Sequence, residues 1–207
     1  MRMSLRHCFR VALLAVLMSA AGCTLVQPTG TPARKEQVAG LLALEAWELR
    51  GRVAVKDSEE GGQAKINWRQ SGDRSQIRFS GPFGAGAYEL LWEPGLVTVT
   101  GGSGGQSLEY RGAEAAESFL REQLGWSFPA GSTRYWVMGL PDPSSASSMT
   151  FDAAGLPAVI TQSGWQISFD RFANYEGYDL PARLEMQNGD ARVRMVISSW
   201  RLEPPGD

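Results

Sequence analysis

Residues 63–70, QAKINWRQ, alternate apolar and polar side chains. The apolar positions are Ala64, Ile66 and Trp68, and charged or amide side chains stand between them. Successive side chains of a β-strand point to opposite faces, so this spacing predicts a strand with one buried face. The pattern recurs along most of the chain and indicates a mainly β protein.

Ten further segments carry strand patterns. They are residues 47–56, 74–80, 87–92, 96–100, 106–110, 149–152, 157–162, 166–172, 182–187 and 191–200. Helical spacing of apolar residues predicts short helices near 34–44, 113–124 and 132–138. Connectors rich in Gly, Asp and Ser join the strands, and Asn188-Gly189 is a strong hairpin signal. About eleven short strands favour a single antiparallel sheet, curled and covered by helices.

The predicted inward face of this sheet carries large aromatic side chains. The candidates are Trp68, Phe79, Tyr88, Trp92, Tyr110 and Phe169. Such a face either closes over a filled core or lines a cavity for an apolar ligand. The pattern of the strands leaves both architectures open.

The composition is that of one globular domain with a sizeable core, since 43% of the 207 residues are hydrophobic. The only His and one of the two Cys, His7 and Cys8, fall in the first ten residues. If that end is removed, the chain has no His and a single Cys, Cys23. This excludes His-based acid–base catalysis, a His or multi-Cys zinc site and an intrachain disulfide. We therefore predict no enzymatic activity, no metal and no cofactor.

Residues 1–22 have the three parts of a secretory signal. Arg2, Arg6 and Arg10 form a basic head, residues 11–18 are an apolar run, and residues 19–22 are small. The apolar run is too short to span a bilayer as a mature helix. We predict that residues 1–22 are a signal peptide.

The ending Ala-Ala-Gly-Cys at residues 20–23 resembles a bacterial lipobox, in which the Cys becomes the acylated N-terminus. Cys23 is therefore the predicted lipid attachment site. Thr24 follows it, where an Asp would favour retention in the inner membrane, so the predicted location is the outer membrane of a Gram-negative bacterium, facing the periplasm. Two or more acyl chains provide a durable anchor.

Cleavage after residue 22 removes three arginines and no acid, which changes the formal net charge from −2 to −5. This balance argues against a nucleic-acid partner. Residues 23–35 contain Pro, Gly and small polar residues and are predicted to form the acylated N-terminus and a flexible tether. Residues 36–207 form the predicted folded domain.

One sequence match to a catalytic motif is rejected. Residues 101–105, GGSGG, fit the pattern G-x-S-x-G around Ser103. That motif requires a strand that turns into a helix and a His that activates the Ser. Here the segment joins two predicted strands, so a flexible hairpin loop explains it better.

Residues 80–86, SGPFGAG, place one large apolar residue, Phe83, in a turn between two strands. Two interpretations are open. Phe83 either covers the end of the sheet or contacts a membrane or partner, since exposed apolar groups often mark interaction sites.

The chain resembles the LolB family of outer-membrane lipoprotein receptors. The resemblance extends from Cys23 to Trp200 and depends on the order of several short sequence motifs. They are residues 47–55 (WELRGRVAV), 64–70 (AKINWRQ), 81–84 (GPFG), 136–141 (WVMGLP), 162–165 (QSGW), 180–184 (LPARL) and 196–200 (VISSW). The periplasmic carrier of the same pathway shares the fold but lacks the acylated Cys.

This resemblance implies a half-open β-barrel that is capped by helices and encloses an apolar cavity. It implies that the protein accepts the acyl chains of lipoproteins from a LolA-like carrier and inserts them into the outer membrane. The expected partners are this carrier, the client acyl chains and outer-membrane phospholipid, and the expected state is a monomer. The alternative is a structural or partner-binding outer-membrane lipoprotein with a filled core.

The resemblance also implies site residues. Phe83, with Gly81, Pro82 and Gly84, occupies the loop for membrane insertion, where the family commonly has Leu. The expected cavity residues are Ile66, Trp68, Phe79, Tyr88, Leu90, Trp92 and Trp136.

Overall fold

The computed structural model describes residues 32–57, 61–81, 86–101 and 107–202. These residues form three helices, α1 (Pro32–Ala43), α2 (Ala115–Leu124) and α3 (Ala130–Trp136). The strands are β1 (Ala46–Lys56), β2 (Gly61–Ser71), β3 (Arg74–Ser80), β4 (Tyr88–Glu93), β5 (Leu96–Gly101), β6 (Ser107–Arg111), β7 (Ser147–Phe151), β8 (Pro157–Gln162), β9 (Trp165–Tyr175), β10 (Tyr178–Asn188) and β11 (Ala191–Leu202).

All strands belong to one sheet with the order β6-β5-β4-β3-β2-β1-β11-β10-β9-β8-β7. Every described pairing of neighbouring strands is antiparallel. The sheet is open, with β6 and β7 as its edges. The prediction of one antiparallel sheet of about eleven strands covered by short helices is confirmed.

The N-terminal boundary of the folded part differs from the prediction. Helix α1 begins at Pro32, so residues 32–35, predicted as tether, are helical. Proline suits the first turn of a helix, because its missing N–H has no partner there in any case. The predicted signal peptide and Cys23 lie outside the described residues. Within the described part of the chain, no helix has both the length and the apolar composition needed to cross a membrane.

The alternating pattern of β2 determines which face of the sheet is buried. Ile66 and Trp68 are buried, whereas Lys65 is exposed on the opposite face. In the pairing with β1, Trp68 lies opposite the fully buried Leu49. The central strands therefore direct one apolar face toward the helices and one polar face away from them.

A β-bulge between Arg50 and Gly51 interrupts the pairing of β1 with β11. At Gly51 a Cβ atom would overlap the carbonyl oxygen of Val196. The close approach of the two backbones thus requires a residue without a side chain. Bulges increase local twist and bend a strand, so this one contributes to the curvature of the sheet at its centre.

Helix α2 covers the end of the sheet near β5 and β6. Its buried side chains include Ala115, Ala116 and Phe119, and the Phe119 ring lies 5.4 Å from the ring of Tyr110 on β6. The helix ends at Gly125, which has a left-handed φ of 77° and donates its N–H to the carbonyl of Arg121. Glycine adopts this conformation without steric cost. The helix thus ends at residue 124, as predicted.

Candidate functional site

A cavity of about 590 Å³ lies between the inner face of the sheet and helix α2. Strands β1 to β6, β10 and β11 form one wall, and α2 with the segment around 126–133 forms the other. Asp57 is the one charged residue among the described residues that line it. Because one cavity is lined by so many strands, the sheet must curve around it.

The exposure of the lining residues shows where the cavity opens. At its deep end Trp68 is 3% exposed and Val97 is 0% exposed. At the other end Tyr88 is 46% exposed and Leu108 is 53% exposed. The mouth therefore lies where β4 and β6 begin, with Gly61 at the start of β2 exposed beside them. Two large apolar side chains at this rim face solvent.

An aromatic cluster closes the deep end of the cavity. The Trp47 ring lies 5.2 Å from that of Trp68 and 5.4 Å from that of Trp200. Trp68 lines the cavity, whereas the other two indoles do not. The Trp200 indole N–H donates to the carbonyl of Pro181 at 3.1 Å, so this buried polar atom is satisfied.

A second aromatic cluster separates the cavity from the filled part of the core. Trp126 and Phe128, which follow α2, both line the cavity. Their rings lie 5.5 Å and 5.1 Å from the ring of Trp165, which is 2% exposed and does not line it. The segment between α2 and α3 thus forms a partition between empty and filled space.

Helix α3 is attached to the sheet by buried hydrogen bonds. The Trp136 indole donates to Gln162 Oε1 at 2.7 Å, and Gln162 Nε2 donates to the carbonyl of Asp142 at 2.7 Å. Ser132 Oγ donates to Asp142 Oδ2 at 2.7 Å. Burial alone would raise the pKa of the Asp142 carboxyl, but hydrogen bonds from Ser144 and Ser132 outweigh it and hold that pKa below its ordinary value.

Arg134 of α3 also reaches the turn between β2 and β3. Its Nη1 donates to Asp73 Oδ1 at 2.8 Å. Desolvation alone would lower the pKa of the Arg134 guanidinium, but the hydrogen bond to Asp73 and contact with Tyr135 raise it above its ordinary value. The helix is therefore connected to both halves of the sheet.

Helix α2, by contrast, makes one side-chain hydrogen bond to the sheet within the described residues. Tyr110 on β6 donates its OH to Glu122 Oε2 at 2.8 Å, in an exposed position. This hydrogen bond raises the pKa of Tyr110, because loss of the phenolic proton would bring two negative charges together. The cover of the cavity is thus mainly apolar, while the cover of the filled core is anchored by polar groups.

A buried carboxylate stabilises the outer side of the strands at the deep end. Glu48 on β1 is 3% exposed and accepts hydrogen bonds from Arg50 at 2.5 Å and Asn67 at 2.8 Å. Arg69 and Arg201 form ion pairs with it at 3.3 and 3.5 Å. Burial alone would raise the pKa of Glu48, but these hydrogen bonds and nearby cations lower it below its ordinary value.

Most of the residues expected in the cavity lie on its wall. These are Ile66, Trp68, Phe79, Tyr88, Leu90 and Trp92. Trp136 does not line it, and this expectation is corrected: the side chain is fully buried in the filled part of the core, where its indole binds Gln162. Phe83, Pro82, Gly84 and Ser103 lie outside the described residues, whereas Gly81 is described and half-buried.

Several lining residues were not predicted as part of the site. They include Val97 and Val99 on β5, Phe119 on α2, and Val193 and Met195 on β11. The alternation along β5 and β11 and the apolar face of α2 are sequence signals that such residues face inward. No local signal indicates which inward residues border empty space. Among the described residues, no group of three or more His, Cys, Asp or Glu side chains is placed to hold a metal ion.

Comparison with known sequences gives one consistent family. The family model described as "Outer membrane lipoprotein LolB" matches residues 45–200. The chain is 36% identical over 203 residues to the outer-membrane lipoprotein LolB of Pseudomonas syringae pv. syringae, covering 96% of this chain and 97% of that protein. It is 35% identical to the LolB of Chromohalobacter salexigens over 194 residues, covering 91% and 88% of the two chains.

Solved structures with the same fold are more distant in sequence. A LolA superfamily protein from Nitrosomonas europaea has a TM-score of 0.53 at 8% identity, covering 86% of this chain and 95% of that one. A putative outer-membrane lipoprotein-sorting protein domain from Vibrio parahaemolyticus has a TM-score of 0.51 at 13% identity, covering 86% and 94%. At these identities the likeness concerns the fold alone.

Proposed function

The chain belongs to the LolB family of outer-membrane lipoproteins, and we propose that it holds the acyl chains of client lipoproteins in its cavity and delivers them to the outer membrane. It is a lipid-anchored receptor of the outer membrane in the lipoprotein-sorting pathway. The observation that carries the proposed mechanism is an apolar cavity of about 590 Å³ that opens at one end of the sheet.

The cost of exposing acyl chains explains why such a cavity is needed. Each methylene in water costs about 0.8 kcal/mol, so three chains of roughly 15 methylenes cost on the order of 36 kcal/mol. Transfer through open water is therefore too slow. The chains must pass from the cavity of a LolA-like carrier to this cavity and then to the bilayer, with little apolar surface exposed on the way.

The transfer makes and breaks no covalent bond, so we assign no catalytic residue. The direction follows from affinity: the cavity must bind acyl chains more tightly than the carrier, and the bilayer more tightly than the cavity. We propose that the protein acts as a monomer. The exposed rim residues Tyr88 and Leu108 provide apolar contacts for a chain that enters or leaves.

Phe83 is proposed to assist delivery to the bilayer, together with Gly81, Pro82 and Gly84. Phe83 lies in the sequence between Ser80, where β3 ends, and Tyr88, where β4 begins at the mouth of the cavity. A bulky apolar residue at this end would contact the leaflet or guide acyl chains into it. Cys23 is proposed to carry the lipid anchor, with residues up to about 31 as tether.

The decisive experiment fills the cavity without changing the outer surface. Ala64 on β2 lines the cavity, and Ala64→Phe would occupy part of it. We expect transfer of a fluorescently labelled lipoprotein from the carrier to fall at least tenfold. Ala54→Phe is the matched control, because Ala54 is exposed on the neighbouring strand and faces away from the cavity. Equal transfer by both variants would refute the cavity mechanism.

Acceptance and delivery are separated by a second variant. Phe83→Glu is expected to retain transfer from the carrier in the absence of membranes but to impair transfer onward to added vesicles. Equal loss in both steps would contradict the delivery role of Phe83.

A third variant tests the anchor. Cys23→Ala is expected to release the protein from the membrane without abolishing transfer from the carrier, as measured by membrane fractionation and the same transfer assay. The variant is tested with residues 1–22 removed, because loss of the lipobox Cys would leave this apolar segment in place. Retention of that form in the membrane fraction would refute the role of Cys23.

A further inference from the structure

The outer face of the sheet carries a row of cations across its central strands. Lys65 on β2 lies directly opposite Arg52 on β1, and Arg52 lies opposite Val196 on β11. Val196 lies opposite Arg183 on β10, which in turn lies opposite Arg171 on β9. All four cations are exposed. We call this cross-strand set the basic row.

No described carboxylate pairs with the cations of the basic row, whereas carboxylates pair with the cations that lie further along the strands in both directions. Toward one end of the strands, Glu48 neutralises its arginine neighbours; toward the other, Glu185 pairs with Arg192 and Arg194. None of the four cations of the basic row forms an ion pair with a described residue. Asp170, the neighbour of Arg171 in sequence, is exposed and forms none either.

Such an arrangement is costly to the fold. Like charges directly opposite each other on neighbouring strands destabilise a sheet, and the row has two such pairs, Arg52 with Lys65 and Arg183 with Arg171. The concentration of positive charge also contrasts with the net charge of −5 that the chain has without residues 1–22. A cost without structural benefit indicates an anionic ligand.

We propose that the basic row binds the phosphate groups of anionic phospholipids on the surface of the outer membrane to which the protein is anchored. Five strands spaced about 4.8 Å apart give the row a length of about 19 Å, so it can contact several headgroups. The lipid anchor keeps this surface close to the row at high effective concentration.

A membrane fits the row better than an acidic protein does. Stable protein interfaces have a buried apolar or aromatic centre surrounded by polar groups. The row offers long flexible cations and one half-buried aliphatic residue, Val196, with no aromatic anchor. An extended set of cations without such a centre is typical of attraction to anionic lipid.

The position of the row determines how the domain would lie on the membrane. Its residues alternate along β1 and β2 with Val53, Ala64 and Ile66, which line the cavity, so the row faces away from the cavity. Binding through this face would leave the cavity and its mouth accessible to the carrier. Binding of the row to phospholipid requires only the outer-membrane location and does not depend on the transfer of acyl chains.

The test uses the lipidated protein reconstituted into vesicles, with a fluorophore on Ala54→Cys. Ala54 is exposed on the outer face, two residues from Arg52, and Ala153→Cys in the exposed turn between β7 and β8 provides a remote control label. Quenching by acrylamide, which is neutral and is not attracted to the cations, measures the exposure of each label. We expect phosphatidylglycerol to protect the label at residue 54, relative to vesicles of phosphatidylcholine alone, and not the label at residue 153.

Charge variants then assign the effect to the row. Each cation near an anionic surface contributes about fivefold, so Arg52→Gln with Arg183→Gln should lower the ratio of bound to unbound domains about 25-fold. The matched control, Arg74→Gln with Arg111→Gln, removes two exposed cations outside the row and gives the same net charge. We expect the control to change the ratio less than threefold, and Arg52→Lys with Arg183→Lys to retain binding.

Three outcomes would overturn the proposal. The label at residue 54 could be insensitive to phosphatidylglycerol, or both double variants could lose binding equally, which would indicate net charge alone. Protection of this label only after addition of the carrier would identify the row as a protein-docking surface instead. Acyl transfer by Arg52→Gln with Arg183→Gln should stay normal in the membrane-free assay, which distinguishes failure of this proposal from failure of the cavity mechanism.

Discussion

The two halves of the sheet bury their apolar side chains in different ways. In the half formed by β7 to β10 with α3, the side chains of Trp136, Ile160 and Leu184 are fully buried and fill the interior. Of the described residues in this half, the cavity reaches only Met186, Ala130 and Thr133. In the half formed by β11 and β1 to β6 with α2, inward side chains such as Leu90 and Val99 border empty space. The same alternating pattern thus produces a filled core in one half and a cavity in the other.

The helices that cover the two halves are attached to the sheet in different ways. Helix α3 is held close to the sheet by the buried network of Trp136, Gln162, Asp142 and Ser132. Helix α2 has one exposed side-chain hydrogen bond to the sheet within the described residues, between Tyr110 and Glu122. The half whose helix is anchored by several buried polar groups is densely packed. The half whose helix has a single exposed hydrogen bond to the sheet contains the cavity.

The largest expected effect comes from the same substitution made in each half. Trp136→Ala should lower the free energy of unfolding by about 4 kcal/mol, because it removes a fully buried indole and its hydrogen bond. Trp92→Ala should cost about 2 kcal/mol or less, since this side chain is half-buried and already faces the cavity. Urea unfolding measures both. Equal costs would mean that the two halves do not differ in packing.

A second substitution tests the strand at the centre of the sheet, where the halves meet. Gly51→Ala should destabilise the protein by about 3 kcal/mol, because the new Cβ overlaps the Val196 carbonyl at the bulge. Gly62→Ala is the control, since a Cβ atom at residue 62 would have no other atom within 4 Å, and it should cost less than about 0.5 kcal/mol. Thermal unfolding compares the two, and a tolerated Gly51→Ala would show that the bulge adapts.

The buried carboxylate on the same strand gives a pH-dependent prediction. Glu48→Gln should cost about 2 kcal/mol at pH 7, by weakening hydrogen bonds with Arg50 and Asn67 and ion pairs with other arginines. The lowered pKa of Glu48 in the folded state means that its contribution is present above about pH 4.3, the ordinary glutamate value, and is lost as the pH falls through the folded pKa. The variant should therefore lose less stability than the parent between pH 7 and pH 3.

Urea unfolding at the two pH values measures this difference. Glu109→Gln is the control, because its ion pair with Arg111 is exposed and should contribute less than about 0.5 kcal/mol. An identical pH dependence of the parent and Glu48→Gln would contradict the assignment.

The smallest expected effects concern the attachment of the two helices. Ser132→Ala removes a buried hydrogen bond to Asp142 and should cost about 1 kcal/mol. Tyr110→Phe removes the exposed hydrogen bond to Glu122 and should cost less than about 0.5 kcal/mol. Hydrogen exchange of the backbone amides measures the effect of Ser132→Ala on the opening of α3 and that of Tyr110→Phe on the opening of α2. Faster opening of α3 than of α2 in the parent protein would reverse the comparison.

Much of the fold was predictable because its signals are local. Strands β3 and β8 begin and end at the predicted residues, 74–80 and 157–162. The hairpin at Asn188-Gly189 is confirmed, with Asn188 paired to Ala191 and Gly189 in the left-handed region. Six of the seven expected cavity residues line the cavity, since alternation along β2, β3 and β4 identifies the inward face.

The rest depends on contacts between distant parts of the chain. Trp136 is a large aromatic residue of the kind expected in an apolar cavity. It lies in the filled core instead, where its indole donates a hydrogen bond to Gln162, 26 residues away. Glu48 is paired with Arg201, which lies 153 residues further along the chain. The basic row is recognisable only when β2, β1, β11, β10 and β9 are placed side by side in register.

The sequence by itself determined the periodicity of the strands, the turns and the family. Each of these depends on residues that are close together in the sequence and on the order of short motifs. It also placed the one cysteine outside the predicted signal, Cys23, at a lipobox. Only the tertiary structure decided which inward residues meet other side chains and which border empty space. The reason is that this distinction depends on contacts between remote parts of the chain, such as the buried hydrogen bond from Trp136 to Gln162, and no local pattern specifies them.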